Sequence, residues 1–341
     1  MPGIISAELD LRPTFHIFAY RLDRMRLGQI QASLICPSAF TIFAENITKM
    51  HKSGFVNIIG NPNVGKSTLM NALVGENLSI ITSKAQTTRH RIMGIVNGDD
   101  FQIVYSDTPG ILKPGYKLQE SMMRFVQDAL KDADIFLYVT DTVERGDEAS
   151  SQVVSKIAAS VVRTIVVINK IDLTTAEELE ELVDKWRELL PQADIVPVSA
   201  LEKFNIEPLF ALIVRDLPEG EPFFPKDTLT DKSLRFFASE IIREKILRYY
   251  DKEIPYSVEI EIEEYKEEPT IDRIGAVIHV ARDSQKGILI GHKGAMLKKV
   301  GSAAREDMEK FLGKKVFLQL FVKVSDNWRN DQRKLNKFGY E

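Results

Sequence analysis

The chain of 341 residues contains one cysteine, Cys36. That excludes a disulfide framework and a cysteine-based metal cluster, and a reducing, intracellular compartment suits it best. No run reaches 18 uninterrupted apolar residues, so no membrane-spanning helix is expected. Nor is there a net basic charge: 45 Lys+Arg stand against 49 Asp+Glu, a balance of −4. With 44% apolar and 28% charged residues, the composition is not that of a disordered chain. At roughly 150 residues per domain the length predicts about two domains. No internal repeat or low-complexity segment is evident.

The charge is unevenly placed. Arg282 to Glu341 carries 14 Lys+Arg against 7 Asp+Glu, a local +7, which leaves −11 for the rest. A basic end on an acidic chain points to a polyanion contact, with a solvated charged surface as the plainer alternative. Residues 1–50 show no clean period. Arg12, Arg21, Arg24 and Arg26 would suit an organellar presequence, but Glu8, Asp10 and Asp23 argue against one. Met50, just ahead of a regular strand pattern, reads as a plausible true start, and 1–50 as disordered or not made.

From Phe55 the pattern sharpens. Strands are expected at 55–60, 101–105, 134–140, 164–168 and 194–198, with helices at 67–74, 117–131, 150–160, 175–190 and 206–216. Alternation of this kind predicts an α/β domain with a doubly wound, mostly parallel sheet over residues 51–218. The Pro/Gly-punctuated stretch 217–225 reads as a linker, placed at 219–227. Beyond it, a helix at 233–249, strands at 257–263 and 274–280, a helix after Gly294 and a strand at 315–322 suggest a smaller α+β domain, 228–341. The Glu residues alternating along 257–263 read as a wet face.

Gly60-Asn61-Pro62-Asn63-Val64-Gly65-Lys66-Ser67 fits the P-loop pattern between a strand and a helix. Its amides form an anion nest at a helix N-terminus. Lys66 should reach the β- and γ-phosphates, and the Ser67 hydroxyl should bind Mg²⁺. Asp107-Thr108-Pro109-Gly110-Ile111 follows the 101–105 strand, where Asp107 can hold Mg²⁺ through water and the Gly110 amide can meet the γ-phosphate. Asn169-Lys170-Ile171-Asp172 follows the next strand but one, and the Asp172 carboxylate can accept from the ring N–H and amino group of guanine. A site built on such bonds can reject adenine by roughly 10⁴–10⁵. Ser199-Ala200-Leu201 offers a backbone contact to the base. Between the P-loop helix and the 101–105 strand, Thr88 is the expected further Mg²⁺ ligand, with Thr87 its close competitor; Arg89 and Arg91 read as solvated.

Together these motifs resemble a translation-factor-like GTPase domain. Ile111 stands where Ras-like enzymes carry a water-orienting glutamine, so hydrolysis should be slow or take another route. Resembling GTPases with an apolar residue there, several of which use K⁺, carry a P-loop asparagine that Asn63 matches. K⁺ is thus an expected cofactor beside Mg²⁺, and Lys66, Thr88, Gly110 and Asn63 are the expected hydrolytic set.

In the second domain, Gly291-His292-Lys293-Gly294 opens a helix inside the basic region. Small residues let a nucleic-acid backbone approach, His292, Lys293 and Lys298 add donors and charge, and Ile288 and Ile290 can floor a groove for bases. This resembles a KH domain, whose loop clamps about four nucleotides, in the type II arrangement. Trp328 and Arg329 could stack on bases, but packing on the domain is the plainer reading for the tryptophan.

A GTPase domain followed directly by a type II KH domain resembles the Era family of bacterial ribosome-assembly GTPases, over about residues 51–341. The resemblance implies hydrolysis of GTP to GDP and phosphate, binding of 16S rRNA near its 3′ end, and a switch role in rRNA processing and assembly of the small (30S) subunit. It also implies a cytoplasmic protein loosely associated with the inner face of the cell membrane; a monomer that takes no DNA is expected. A membrane-associated signalling GTPase and a constitutive RNA-binding scaffold with a structural nucleotide are the alternatives.

Overall fold

The computed structural model describes residues 50–143 and 148–340, with backbone alone at 148 and 149. The expectation for the N-terminal extension therefore lies outside the described residues. The apolar run ending at Gly60 starts earlier than expected and forms β1 (Lys52–Gly60). It sits inside a six-stranded sheet with β2 (Ile92–Asn97), β3 (Phe101–Asp107), β4 (Ile135–Asp141), β5 (Arg163–Asn169) and β6 (Asp194–Pro197), ordered β2-β3-β1-β4-β5-β6. All pairs are parallel except β2–β3. The edge strand β2 has no counterpart in the sequence reading, because Gly94 interrupts its apolar pattern. A Cβ at Gly94 would stand 2.8 Å from Val74 Cγ2, so the strand needs that gap to lie over the P-loop helix.

Helices α1 (Lys66–Val74), α2 (Lys117–Ala129), α3 (Glu148–Ala158), α4 (Ala176–Leu189) and α5 (Ile206–Asp216) fill the connections. Successive residues of β1 point to opposite faces. Val56 and Ile58 join a core with Leu69 of α1 and Leu209 of α5, while Ile59 joins one with Val126, Ile157 and Trp186. With strand order turning back on either side of β1, the crevice opens at the carboxyl ends of the strands. Gly60, Asp107 and Asn169 end β1, β3 and β5 there. The linker is strapped to β3: Gln102 Oε1 accepts from the Phe223 and Phe224 amides at 2.7 and 2.9 Å.

The second sheet follows α6 (Leu234–Tyr249) and the short α7 (Ile254–Ser257). It comprises β7 (Val258–Glu267), β8 (Ile271–Val280) and β9 (Lys315–Val324), with β7 antiparallel and β9 parallel to the central β8. Between β8 and β9 lie α8 (Asp283–Ile290) and α9 (Ala295–Leu312), and α10 (Gln332–Lys337) comes last. The sequence reading missed α8, whose eight residues include Gly287 and two β-branched isoleucines, all weak helix formers. It also took the glutamates of β7 as uniformly wet. Glu259 is buried, Glu261 pairs with Lys337 at 2.5 Å and His279 at 3.0 Å, and Glu263 is exposed.

Where the two parts meet, Leu118 and Met122 of α2 pack on Trp328, Leu335 and Tyr340. Trp328 is wholly buried, its Nε1 donating to the Ser257 carbonyl at 3.0 Å, so it packs rather than stacks on bases. The Arg329 guanidinium lies 5.1 Å from the Tyr116 ring centre and is likewise turned to the interface.

Candidate functional site

A cleft of about 470 Å³ lies over the P-loop, lined among others by Lys66, Ser67, Thr88, Gly110, Asn169 and Asp172. Gly65 caps α1 at φ 94°, a left-handed conformation that turns the amides inward. Lys66 is buried, and its Nζ donates to the Gly60 and Asn61 carbonyls at 3.0 and 2.7 Å. Burial pushes its pKa down to about 8, against the pull of Asp107. The amine is thus held back along the loop with its charge poorly solvated, which favours an incoming phosphate.

Ser67, Thr88 and Asp107 converge. Ser67 Oγ donates to Asp107 Oδ2 at 2.7 Å and lies 2.8 Å from Thr88 Oγ1, which donates to the same oxygen at 3.3 Å. Asp107 Oδ1 is buried without a hydrogen-bond partner. Two hydroxyls and a carboxylate are the hard oxygen set that Mg²⁺ takes beside phosphate, and the orphaned oxygen fits that ion. Thr87 instead bonds Thr82 Oγ1 and the Lys84 carbonyl, so Thr88 is the hydroxyl at the centre.

Burial pushes the Asp107 pKa up despite Ser67 and Lys66. A raised folded-state pKa contributes stability below the unfolded value, about 3.9 for an aspartate, and loses it as pH rises through the folded value. At neutral pH Asp107 therefore contributes less to the stability of the metal-free protein than it does in acid. Asp107→Asn is expected to raise that stability by about 0.5–2 kcal/mol at pH 7, with the gain shrinking in acid, while Mg²⁺-dependent GTP binding falls. Melting curves across pH, set beside titrations with GTP and Mg²⁺, check both halves.

The loop after β3 lies directly on the P-loop. The Ile111 amide donates to the Gly60 carbonyl at 3.1 Å, and a Cβ on Gly110 would stand 2.7 Å from Pro62 Cα. Ile111 is 2% exposed and packs with Val126 and Phe136, so its side chain is core rather than cleft. Thr108 Oγ1 donates to the Ile58 carbonyl at 2.8 Å, anchoring the turn.

At the base end, Asn169 joins three segments: Nδ2 donates to the Val64 carbonyl at 2.8 Å and Oδ1 accepts from the Ala200 amide at 3.0 Å. The Asp172 carboxylate accepts from Ser199 Oγ at 2.6 Å. Lys170 bonds the Asn63 carbonyl and Asp141 Oδ2, each at 2.6 Å. Asp141, at the end of β4, escaped the sequence reading because nothing local distinguishes it from a solvated strand end.

The solvated reading of Arg89 and Arg91 fails. The Arg89 side chain is 1% exposed and reaches into the second domain, donating to the Val258 carbonyl at 2.7 Å, the Pro255 carbonyl at 2.9 Å and Glu259 Oε2 at 3.1 Å. Arg243 donates to the Thr87 carbonyl from the other side and pairs with Glu240. His90 stacks on Tyr340 with ring centres 4.2 Å apart, and the Tyr340 hydroxyl donates to Glu259 at 2.8 Å. Thr88 is thus flanked on both sides by anchors on the second domain. Arg91 stays within the first, bonding Asp132 at 2.6 Å.

In the second domain Gly291 (φ 72°), Lys293 (φ 50°) and Gly294 (φ 79°) form a left-handed turn that opens α9. His292, Lys293 and Lys298 are exposed. Ile288 is 51% exposed and Ile290 partly buried. Both lie on α8, where residues two apart are about 200° around the axis. They therefore do not floor one groove together.

Residues 55–170 match the 50S ribosome-binding GTPase family and residues 253–329 the KH domain family. The GTPase Era of Syntrophus aciditrophicus is 46% identical over 293 residues, 85% of this chain and 96% of that one. That of Alkaliphilus metalliredigens is 45% identical over 85% and 99% of the two chains. The chain belongs to the Era family. A crystal structure of Era with MgGDPNP and nucleotides 1506–1542 of 16S ribosomal RNA is similar at a TM-score of 0.82 and 40% identity, covering 85% of this chain and 99% of that one. A variant of Aquifex aeolicus Era bound to GDP·AlF4⁻ gives a TM-score of 0.81 at 41% identity over the same shares. Within this Era-family chain, Arg243, Glu259 and Tyr340, like Asp141, are residues to which the sequence assigns no role. Glu259, between Val258 and Ile260, alternates like Glu261 and Glu263, Arg243 precedes Glu244 and Lys245, and Tyr340 stands between Gly339 and Glu341, so no local pattern marks them.

Proposed function

We propose that this protein is a GTP-driven switch whose KH domain grips the 3′ end of 16S rRNA during maturation of the small ribosomal subunit. The observation that carries the reading is the double anchoring of the Thr88 segment on the KH domain through Thr87–Arg243 and Arg89–Glu259. GTP is held by the P-loop amides and Lys66, and guanine by Asp172. Ser67, Thr88 and Asp107 would hold Mg²⁺, which would supply positive charge to offset that on the phosphates. Ordering of Thr88 in the GTP form draws on Arg89 and Thr87 and so shifts the KH domain; loss of the γ-phosphate releases Gly110 and Thr88 together.

Ile111, buried in the core, leaves water positioning to other groups, and exposed Asn63 would hold a K⁺ that supplies positive charge beside the phosphates. The 30S subunit as the working partner, a cytoplasmic monomer and a loose contact with the inner membrane face complete the proposal. Among the described residues no helix is long and apolar enough to cross a membrane.

The test is RNA affinity in two nucleotide states. By linkage, RNA favours the GTP form by the factor by which GTP favours RNA, typically 5–150-fold for such couplings. Fluorescence anisotropy with a 16S 3′-end RNA should show that difference between GTP analogue and GDP. Equal affinities would leave two unconnected sites, the scaffold alternative.

A further inference from the structure

Strand β9 carries an unusual face. Its residues alternate, with Val316, Leu318, Leu320, Val322 and Val324 turned to the helices and core. Lys315, Phe317, Gln319, Phe321 and Lys323 all point the other way and are exposed. Phe317 keeps 43% and Phe321 57% of its surface open. The parallel register sets Arg273 beside Phe317, its guanidinium 5.3 Å from the ring centre, and Gly275 beside Gln319. Gln319 stands between the two rings on that face, and the Glu264 side chain lies against Gly275. β9 is also the sheet edge, and α8, which leads into the Gly291–Gly294 loop, packs against it.

We infer that this outer face of β9 is a second RNA platform, on which bases of the strand leaving the KH loop stack on Phe317 and Phe321. The inference rests on the RNA-binding reading above and extends it. A KH loop clamps about four nucleotides, whereas the RNA in the related Era complex runs from 1506 to 1542, so most of such a strand must lie elsewhere. Rings four residues apart on one strand face are about 13 Å apart, room for two or three extended nucleotides. Lys323 supplies a phosphate partner beside the rings, and Lys315 and Arg273 do so by exchanging Glu309 and Glu268 for phosphate, the combination that single-strand binders use. The same lysines disfavour a protein strand adding to this edge. The acidic residues nearest the face are already engaged: Glu268 pairs with Arg273 at 2.9 Å and Glu264 pairs with Lys266.

The experiment uses the full chain and two RNAs, one spanning the 37 nucleotides of that fragment and one of five nucleotides long enough only for the loop. Phe317→Leu with Phe321→Leu keeps apolar bulk and removes the π-faces. The double variant should bind the long RNA about 30-fold or more weakly, given that each stacked base contributes roughly fivefold or more. Its affinity for the short RNA, its GTP hydrolysis and its salt slope should not change. Lys315→Ala with Lys323→Ala should instead reduce the salt slope for the long RNA by about 1.4. Wild-type affinity of the phenylalanine variant for the long RNA overturns the platform. Equal loss with both RNAs also overturns it, by locating the damage in the KH fold. If the unaltered chain binds neither RNA, it is the underlying RNA-binding reading that falls.

Discussion

Gly65→Ala is expected to lower GTP affinity by about 10²–10³-fold while leaving the fold intact. The residue sits at φ 94°, where a side chain costs about 1–2 kcal/mol. Its new Cβ would stand 2.2 Å from Asn169 Nδ2. Asn169 would have to move and lose its bonds to the Val64 carbonyl and the Ala200 amide, each contributing about 0.5–1.5 kcal/mol. The total of about 2–5 kcal/mol, with its middle at about 3.5, converts at about 1.4 kcal/mol per tenfold to the stated loss. One added methyl group thus disturbs the phosphate loop, the guanine strand and the Ala200 turn at once, because Asn169 joins all three. Calorimetric titration with GTP and Mg²⁺ reads the loss; near-wild-type affinity would show that the loop and Asn169 are not so tightly apposed.

Arg89→Ala should both destabilise the protein and disconnect its two halves. The guanidinium and Glu259 are buried together, and burial already pushes the Glu259 pKa up against the help of Arg89 and Arg243. Removing one partner of a buried pair leaves an uncompensated charge, at a cost of about 3–5 kcal/mol. At about 2–4 °C per kcal/mol for a fold of this size, the melting temperature should drop by about 10 °C. The functional consequence is separate: the ratio of RNA affinities with GTP analogue and GDP should move toward one. Arg89→Lys keeps the charge but lacks the planar fork that reaches two carbonyls and a carboxylate, so it should restore coupling only partly. Melting curves and anisotropy on the same variants check both. An undiminished nucleotide dependence in Arg89→Ala would mean that the signal travels another way, through Arg243 and the Thr87 carbonyl or through α2 and its contact to Trp328.

What could be read along the chain was whatever depends on neighbours in sequence. The P-loop, Asp107 to Gly110, Asn169 to Asp172 and the Gly291–Gly294 turn are each a strand or helix end, and end chemistry is local. A turn needs its glycine, and a helix N-terminus presents its amides, whatever the rest of the chain does. The parallel strands were legible for the same reason, since burial on both faces writes a continuous apolar run. Strand β2 and helix α8 were not, because Gly94 and Gly287 weaken the pattern where packing supplies the order.

The charged residues mark the boundary most sharply. Arg89, Glu259 and Arg243 look in sequence like members of solvated stretches, while packing is the plainer sequence reading of Trp328 but its partner is not legible there. Each is buried because a segment more than 150 positions away, or about 70 in the case of Trp328, supplies its partner. Sequence alone determined that this chain holds a guanine-nucleotide site and an RNA-binding loop. Only the tertiary structure decided that the Thr88 segment is shared between them, because burial and ion pairing depend on distance in space, which no local pattern encodes.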